Sequence, residues 1–243
     1  QVAQWSMAIG FLLHTATLWD DWAVGGHYPL FGQREALSFL AWALVAGYAI
    51  VLYRYHAQAV GAFAMPVICI LTSVALLINP DPNVSAAEFS STWWFPIHTT
   101  ILVFAYAAFF IVFMASVMYL LQERELKLKT FSAFFHRLPS LSTVNEIATH
   151  AAAIGLTLLT LGLVAGVFWN WSLQRQLWRN DPKEIFAVLT WLLYFFLIVY
   201  RSTANWRGRR AAWLGVIGFV LVLCTFLAAP LFGSYHVFGF ALM

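Results

Sequence analysis

The sequence predicts an all-α polytopic membrane protein: a single transmembrane domain over residues 1–243, built as a bundle of about seven helices with its carboxyl end outside. Three observations predict it. Hydrophobic residues make up 62% of the chain and charged residues 9%, against roughly 45–50% and about 25% in soluble domains. The apolar residues fall in long runs rather than in short alternating stretches. The cations sit between the runs and are shared unequally between the two sets of connections. So few charges cannot cover a soluble globule of this size, which excludes a cytosolic enzyme, a disulfide scaffold and a disordered chain.

A helix crossing a bilayer needs roughly 20 mostly apolar residues. The runs at 3–19, 37–53, 59–78, 97–121, 147–170, 184–200 and 211–230 meet that need, the first of them barely. Gln1 is not an initiator methionine and no charged segment precedes the first run, so no signal peptide is assigned. The 79–96 connection holds two prolines and several polar residues and reads as a loop. Between the fifth and sixth runs, Asp181-Pro182-Lys183-Glu184 has the order of a helix start, with Asp at the N-cap and Pro at the first helical position.

Loop charges set the orientation. Arg54, Arg124, Lys127, Lys129, Arg137, Arg201, Arg207, Arg209 and Arg210 lie on one side, and Arg34, Arg175, Arg179 and Lys183 on the other. Nine cations against four place the first side in the cytoplasm, as expected for a bacterial inner membrane or its equivalent. The net charge of +3 therefore reflects topology and not nucleic-acid binding. Seven of the twelve tryptophans (Trp19, Trp22, Trp93, Trp94, Trp169, Trp171 and Trp178) fall at or near the outer ends of the runs, where aromatic belts form.

Topology also sorts the seven histidines. His56 and His136 fall in cytoplasmic connections and read as solvated. His150, near the cytoplasmic end of the fifth run, is expected to bond a backbone carbonyl. His14 lies in the outer half of the first run and His27 in the first outer loop. His98 opens the fourth run from outside, and His236 follows the seventh at similar depth. Two neutral imidazoles near planar aromatics suit a haem iron ligated from both sides. Ordinary interfacial packing explains the same placement. No span carries an acid at its middle, which disfavours a proton pump or a solute transporter. Hydrolase and nucleotide-binding motifs are missing. Cys69 and Cys224 lie inside apolar runs and are expected to be buried as small apolar residues.

Several segments together resemble the cytochrome c assembly proteins of the CcsA/HemX type. Gly26-His27-Tyr28-Pro29-Leu30 with Glu35-Ala36-Leu37-Ser38-Phe39-Leu40-Ala41-Trp42 is similar to that family's G-H-x-P and E-S-L-x-F-x-x-W stretch. Trp94-Phe95-Pro96-Ile97-His98 resembles its W-L-x-x-H helix start. The runs from Tyr119 to Lys127 and from Arg137 to Leu141 look like its cytoplasmic signature. The segment Leu161 to Gly166, then Trp169, then Asp181 to Glu184 leading to Trp191, adds the most specific match. Asn205-Trp206-Arg207-Gly208-Arg209-Arg210-Ala211-Ala212 looks most like the HemX branch.

The resemblance implies haem handling. Haem lyase members of the family present haem on an outer W-G-x-x-W-x-W-D loop between two histidines, whose positions here are taken by His98 and His236. It implies Trp169 and Trp178 along the haem face, and His14 as the first of the transmembrane histidines that receive haem. Gln174 and Asn180 replace two of the motif's tryptophans, and Val199 stands where the second transmembrane histidine would be. The reading that follows is a haem-binding or haem-relay protein carrying haem b, performing ligand exchange and presentation rather than bond chemistry. Its partners would be haem, membrane lipids and either other assembly proteins or a larger membrane complex. The competing reading is a structural or regulatory membrane subunit that keeps the fold without haem, scaffolding a respiratory or photosynthetic complex or modulating tetrapyrrole synthesis.

Overall fold

A computed structural model describes residues 2–25, 28, 30, 32–79, 93–129, 138–174, 181–203 and 208–232. Their backbone forms seven helices, with no strand among the described residues: α1 (Val2–Gly25), α2 (Gln33–Tyr55), α3 (Ala59–Leu77), α4 (Trp94–Leu128), α5 (Leu141–Gln174), α6 (Pro182–Thr203) and α7 (Arg209–Phe232). Five segments are long and apolar enough to cross a membrane, namely Gln33–Tyr55, Ala59–Leu77, Trp94–Leu128, Leu141–Ser172 and Pro182–Ser202. The chain is a multi-pass helical membrane protein.

The predicted runs and the helices agree in number and order, but α4 and α5 are longer than their runs. At 35 and 34 residues they extend about 50 Å each, well beyond a hydrocarbon core of roughly 30 Å. Most of the extra length lies on the basic face. Helix formers continue α4 past the apolar run, and Lys127 Nζ pairs with Glu123 Oε1 at 2.7 Å one turn away. Glu123 also faces Arg209 at 3.9 Å, tying α4 to the start of α7. Gln122 Nε2 donates to the Pro139 carbonyl at 2.5 Å. Ser140 then caps α5 by accepting from the Thr143 N–H at 3.2 Å. Gly208 opens α7 at φ 96°, with the Tyr119 hydroxyl only 2.8 Å from where a Cβ would stand, so both backbone and space demand glycine there.

α4 is the hub, packing most extensively on α5 and also on α7, α2 and α3. Midway along it, Phe109 stacks on Tyr194 of α6 with ring centroids 3.8 Å apart, and both side chains are 0% exposed. Glycines close the stack on both sides. A Cβ at Gly155 of α5 would meet Phe109 Cε1 at 2.5 Å, and one at Gly218 of α7 would meet Tyr194 Cε2 at 2.8 Å. Four helices thus meet on one aromatic pair through small residues, as packing between lipid-embedded helices favours. The Tyr194 hydroxyl has no hydrogen-bond partner among the described residues. Tyr194→Phe, which deletes it and keeps the ring, is expected to raise stability by on the order of 1 kcal/mol, read as a later thermal unfolding midpoint in detergent.

α1 leans on α2. Trp42 stacks on Phe11 at 5.2 Å and donates from Nε1 to Thr15 Oγ1 at 2.9 Å. Asp20 and Asp21 lie in the last two turns of this helix. Cys69, expected to be buried, is exposed on α3 and Cys224 is half-buried. An apolar run does not say which of its residues face lipid, and a thiol tolerates that contact.

Candidate functional site

The outer ends of α4 and α5 build one compact site. Pro96 is tolerated in the first turn of α4, where its missing N–H removes no helical bond. One turn in, His98 Nδ1 lies 2.7 Å from the Gly162 carbonyl of α5. A carbonyl only accepts, so Nδ1 carries the proton and the neutral ring keeps its lone pair on Nε2. The ring lies against the α5 backbone because residue 166 has no side chain: a Cβ there would stand 2.6 Å from His98 Cε1 and 2.9 Å from Nδ1.

One aromatic ring adjoins this imidazole, and further ring pairs lie along the same helix ends. Trp169 lies 5.8 Å from it, tilted by 39°, and is itself 7% exposed. Phe95 meets Trp169 edge-on at 5.3 Å, and Trp94 stacks on Phe168 at 5.4 Å. From the α1–α2 connection, the Tyr28 hydroxyl reaches Thr100 Oγ1 at 2.6 Å, two residues past His98 and so on the opposite flank of α4. An imidazole of fixed tautomer, held against backbone with one aromatic ring beside it, is suited to ligate a metal carried in a flat apolar group.

The other predicted residues distribute as follows. His98 and Trp169 come together. His236 and Trp178 lie outside the described residues, as do Arg175, Arg179, His27 and His136. His14 Nε2 meets Ser38 Oγ at 2.8 Å, so that nitrogen is engaged within the α1–α2 contact. Asp181 caps α6: its Oδ1 accepts from the Lys183 N–H at 2.8 Å, and its carbonyl from the Glu184 N–H at 2.9 Å. The Asp-Pro-Lys-Glu order is thereby explained as a helix start. His56 is exposed and ends α2 in the left-handed region. His150, expected on a backbone carbonyl, instead bonds the Tyr55 hydroxyl through Nδ1 at 2.6 Å. Within a helix the nearby carbonyls already accept helical bonds, and an aromatic hydroxyl from the neighbouring α2 is the better-placed partner.

Gly162, Gly166 and Ser38 were missed by sequence reasoning as parts of the site. Gly162 and Gly166 do carry a signal, the G-x-x-x-G spacing that marks close approach of two membrane helices. In the Glu35–Trp42 stretch, Glu35 folds back over Gly32 at the α2 start, Ser38 holds His14, and Trp42 fastens α1. That motif has a structural role in joining α1 to the bundle.

Residues 30–235 match the profile of a family described as Cytochrome C assembly protein. The chain is 28% identical to the Cytochrome c biogenesis protein CcsA of Prochlorococcus marinus strain MIT 9301, over 94% of its own length and 81% of that protein's. It is 27% identical to the CcsA of the same description from Guillardia theta, over 93% and 81% of the two lengths. With that of Microcystis aeruginosa it shares 27% identity, over 96% and 86%. These relatives carry the CcsA name, and the HemX affinity expected from residues 205–212 finds no support in them.

Proposed function

Since the chain belongs to the cytochrome c assembly protein family, we propose that it binds and relays haem b, holding it at the outer face between His98 and His236. One observation carries this reading: the His98 Nδ1 contact with the Gly162 carbonyl at 2.7 Å, which puts the proton on Nδ1 and makes Nε2 the nitrogen with ligand character. Trp169 supports it as an aromatic wall beside the imidazole, with Trp178 as its counterpart on the outer loop. His14 is a further ligand position, reached after its bond to Ser38 breaks. The protein would sit in a bacterial inner membrane or its equivalent, with the basic face in the cytoplasm, and work with other assembly components.

Haem bound there would supply an iron that takes side-chain ligands. The chain's own residues do the rest. The Gly162 carbonyl fixes the imidazole tautomer and orientation, Gly166 leaves the ring its place, and Trp169 and Phe95 keep that flank apolar. No covalent step would be asked of the chain, because handing haem on would need only a change of the side chains that hold it.

A second reading has its own support. Gln174, Asn180 and Val199 replace residues that family haem lyases use, and His14 is engaged within the bundle, as in a scaffold subunit that keeps the fold without haem. The visible spectrum of the purified chain separates the two. The expected result is a reduced b-type spectrum, with haem affinity falling at least tenfold in His98→Ala and in His236→Ala. A folded wild type that takes up no haem overturns the proposal and leaves the scaffold.

A further inference from the structure

Towards the basic face, α4, α5, α6 and the start of α7 enclose a recess of about 10 Å3, lined by Ser116, Tyr119, Asn145, Arg201 and Gly208 among others. That is the room of about one water-sized atom. Two of the lining groups are polar and almost wholly withdrawn from solvent, Ser116 at 2% and Arg201 at 8% exposure. Arg201 Nη1 donates to the Asn145 carbonyl at 3.3 Å, to Asn145 Oδ1 at 3.4 Å and to Thr149 Oγ1, all uncharged acceptors. The Ser116 hydroxyl has no hydrogen-bond partner among the described residues. Hydroxyls inside helices commonly bond the carbonyl one turn back, as Thr99, Thr149 and Thr190 do here. Ser116 departs from that habit in the wall of a space that can hold a partner.

We propose that this recess takes one oxygen of a phosphate group, with an anionic phospholipid of the basic face as its source. The inference is independent of the haem reading. Water alone would fill the space and satisfy Ser116, but it brings no charge. A guanidinium buried beside uncharged acceptors favours an anion, because attraction between opposite charges strengthens away from water. A phosphate oxygen accepts, and it meets a donor-only guanidinium and a hydroxyl free to donate. α7 starts at the recess, with Gly208 and Ala212 in its wall, and the N–H groups and dipole of a first helical turn attract negative charge. The depth suits a headgroup, since Arg201 directly follows the apolar run of α6 and Gly208 shortly precedes that of α7. Basic pockets between membrane helices on the cytoplasmic side are where anionic headgroups bind. The remainder of the phosphate stays at the rim, where Tyr119, Asn145 and Gly208 are half-exposed. One lipid thus bridges α4, α6 and α7, and membrane composition sets how firmly this end of the bundle closes.

Phosphatidylglycerol, phosphatidylcholine and inorganic phosphate are each titrated into the full chain in a fixed detergent. The thermal midpoint gives apparent affinity, and native mass spectrometry counts the lipid retained. Phosphatidylglycerol is expected to raise the wild-type midpoint saturably and to leave one molecule bound, with phosphatidylcholine doing neither. Ser116→Ala is expected to weaken that affinity at least tenfold, the loss of one hydrogen bond to a charged group. The same variant should be no less stable than the wild type without lipid, because it removes a buried hydroxyl that lacks a partner. A merely structural hydroxyl would move the lipid-free midpoint and not the affinity. Arg201→Gln is expected to weaken binding at least tenfold, and where it fails to fold, Ser116→Ala decides. Arg209→Gln/Arg210→Gln, outside the recess, should change affinity less than threefold. Inorganic phosphate reproducing the effect, with the same loss in Ser116→Ala, would overturn the lipid source and keep the phosphate site. Equal response to phosphatidylcholine, or a response lost only in Arg209→Gln/Arg210→Gln, overturns the site. No response to any of the three leaves water in the recess and overturns it as well.

Discussion

Gly166→Ala is expected to lower haem affinity at the outer site at least tenfold while leaving the fold intact. One methyl group there would stand 2.6 Å from His98 Cε1, so the imidazole must turn and its bond to the Gly162 carbonyl must break. The tautomer then ceases to be fixed, and with it the aim of Nε2. Alanine gains about 1 kcal/mol over glycine within a helix, which offsets the local crowding. The thermal midpoint should therefore stay close to that of the wild type while the Soret titration moves. Gly162→Ala is the control. Its methyl group meets the flexible end of Leu102 at 2.5 Å, and the residue's carbonyl stays where it is. Affinity falling as far in Gly162→Ala as in Gly166→Ala would show that general loosening of α4 from α5, and not displacement of His98, is responsible.

Phe109→Ala is expected to cost about 3–5 kcal/mol, the range for removing a fully buried aromatic ring. The ring is 0% exposed and stacked at 3.8 Å on Tyr194. Helices α5 and α7 reach the pair through glycines, which have no side chain to swing into the void. Lipid cannot refill the space, and the loss is one of packing contacts at the junction of four helices. The unfolding midpoint in a fixed detergent checks this. Phe109→Leu, which keeps most of the volume, should recover more than half of the loss. A Phe109→Ala protein as stable as the wild type would mean that the bundle closes around the gap.

How far the chain was legible before its structure depended on the range of the interaction. The number and order of the helices followed from apolar run length, a local property. Asp181-Pro182-Lys183-Glu184 gave the start of α6, because capping involves neighbours two and three residues apart. The extension of α4 to Leu128 was hidden by hydropathy, although the Glu123–Lys127 spacing signalled it. Partners distant in sequence were not legible. His98 and Gly162 are 64 residues apart, and Tyr55 and His150 are 95 apart. Sequence placed His98 and Trp169 at the same face but could not say that one glycine brings the imidazole onto a backbone carbonyl. His150, expected on a backbone carbonyl, meets a hydroxyl from a helix distant in sequence, which no local pattern reveals.

The glycine-flanked stack has a consequence for the energised membrane. With two rings 3.8 Å apart and no exposed surface, water cannot thread between α4 and α6 at this level. Much of the electric field across the bilayer should therefore fall over this dry layer, where each elementary charge crossing it is worth about 2.3 kcal/mol per 100 mV. The contact between α4 and α6 acts as an insulating layer, giving protons and ions no water path at this level.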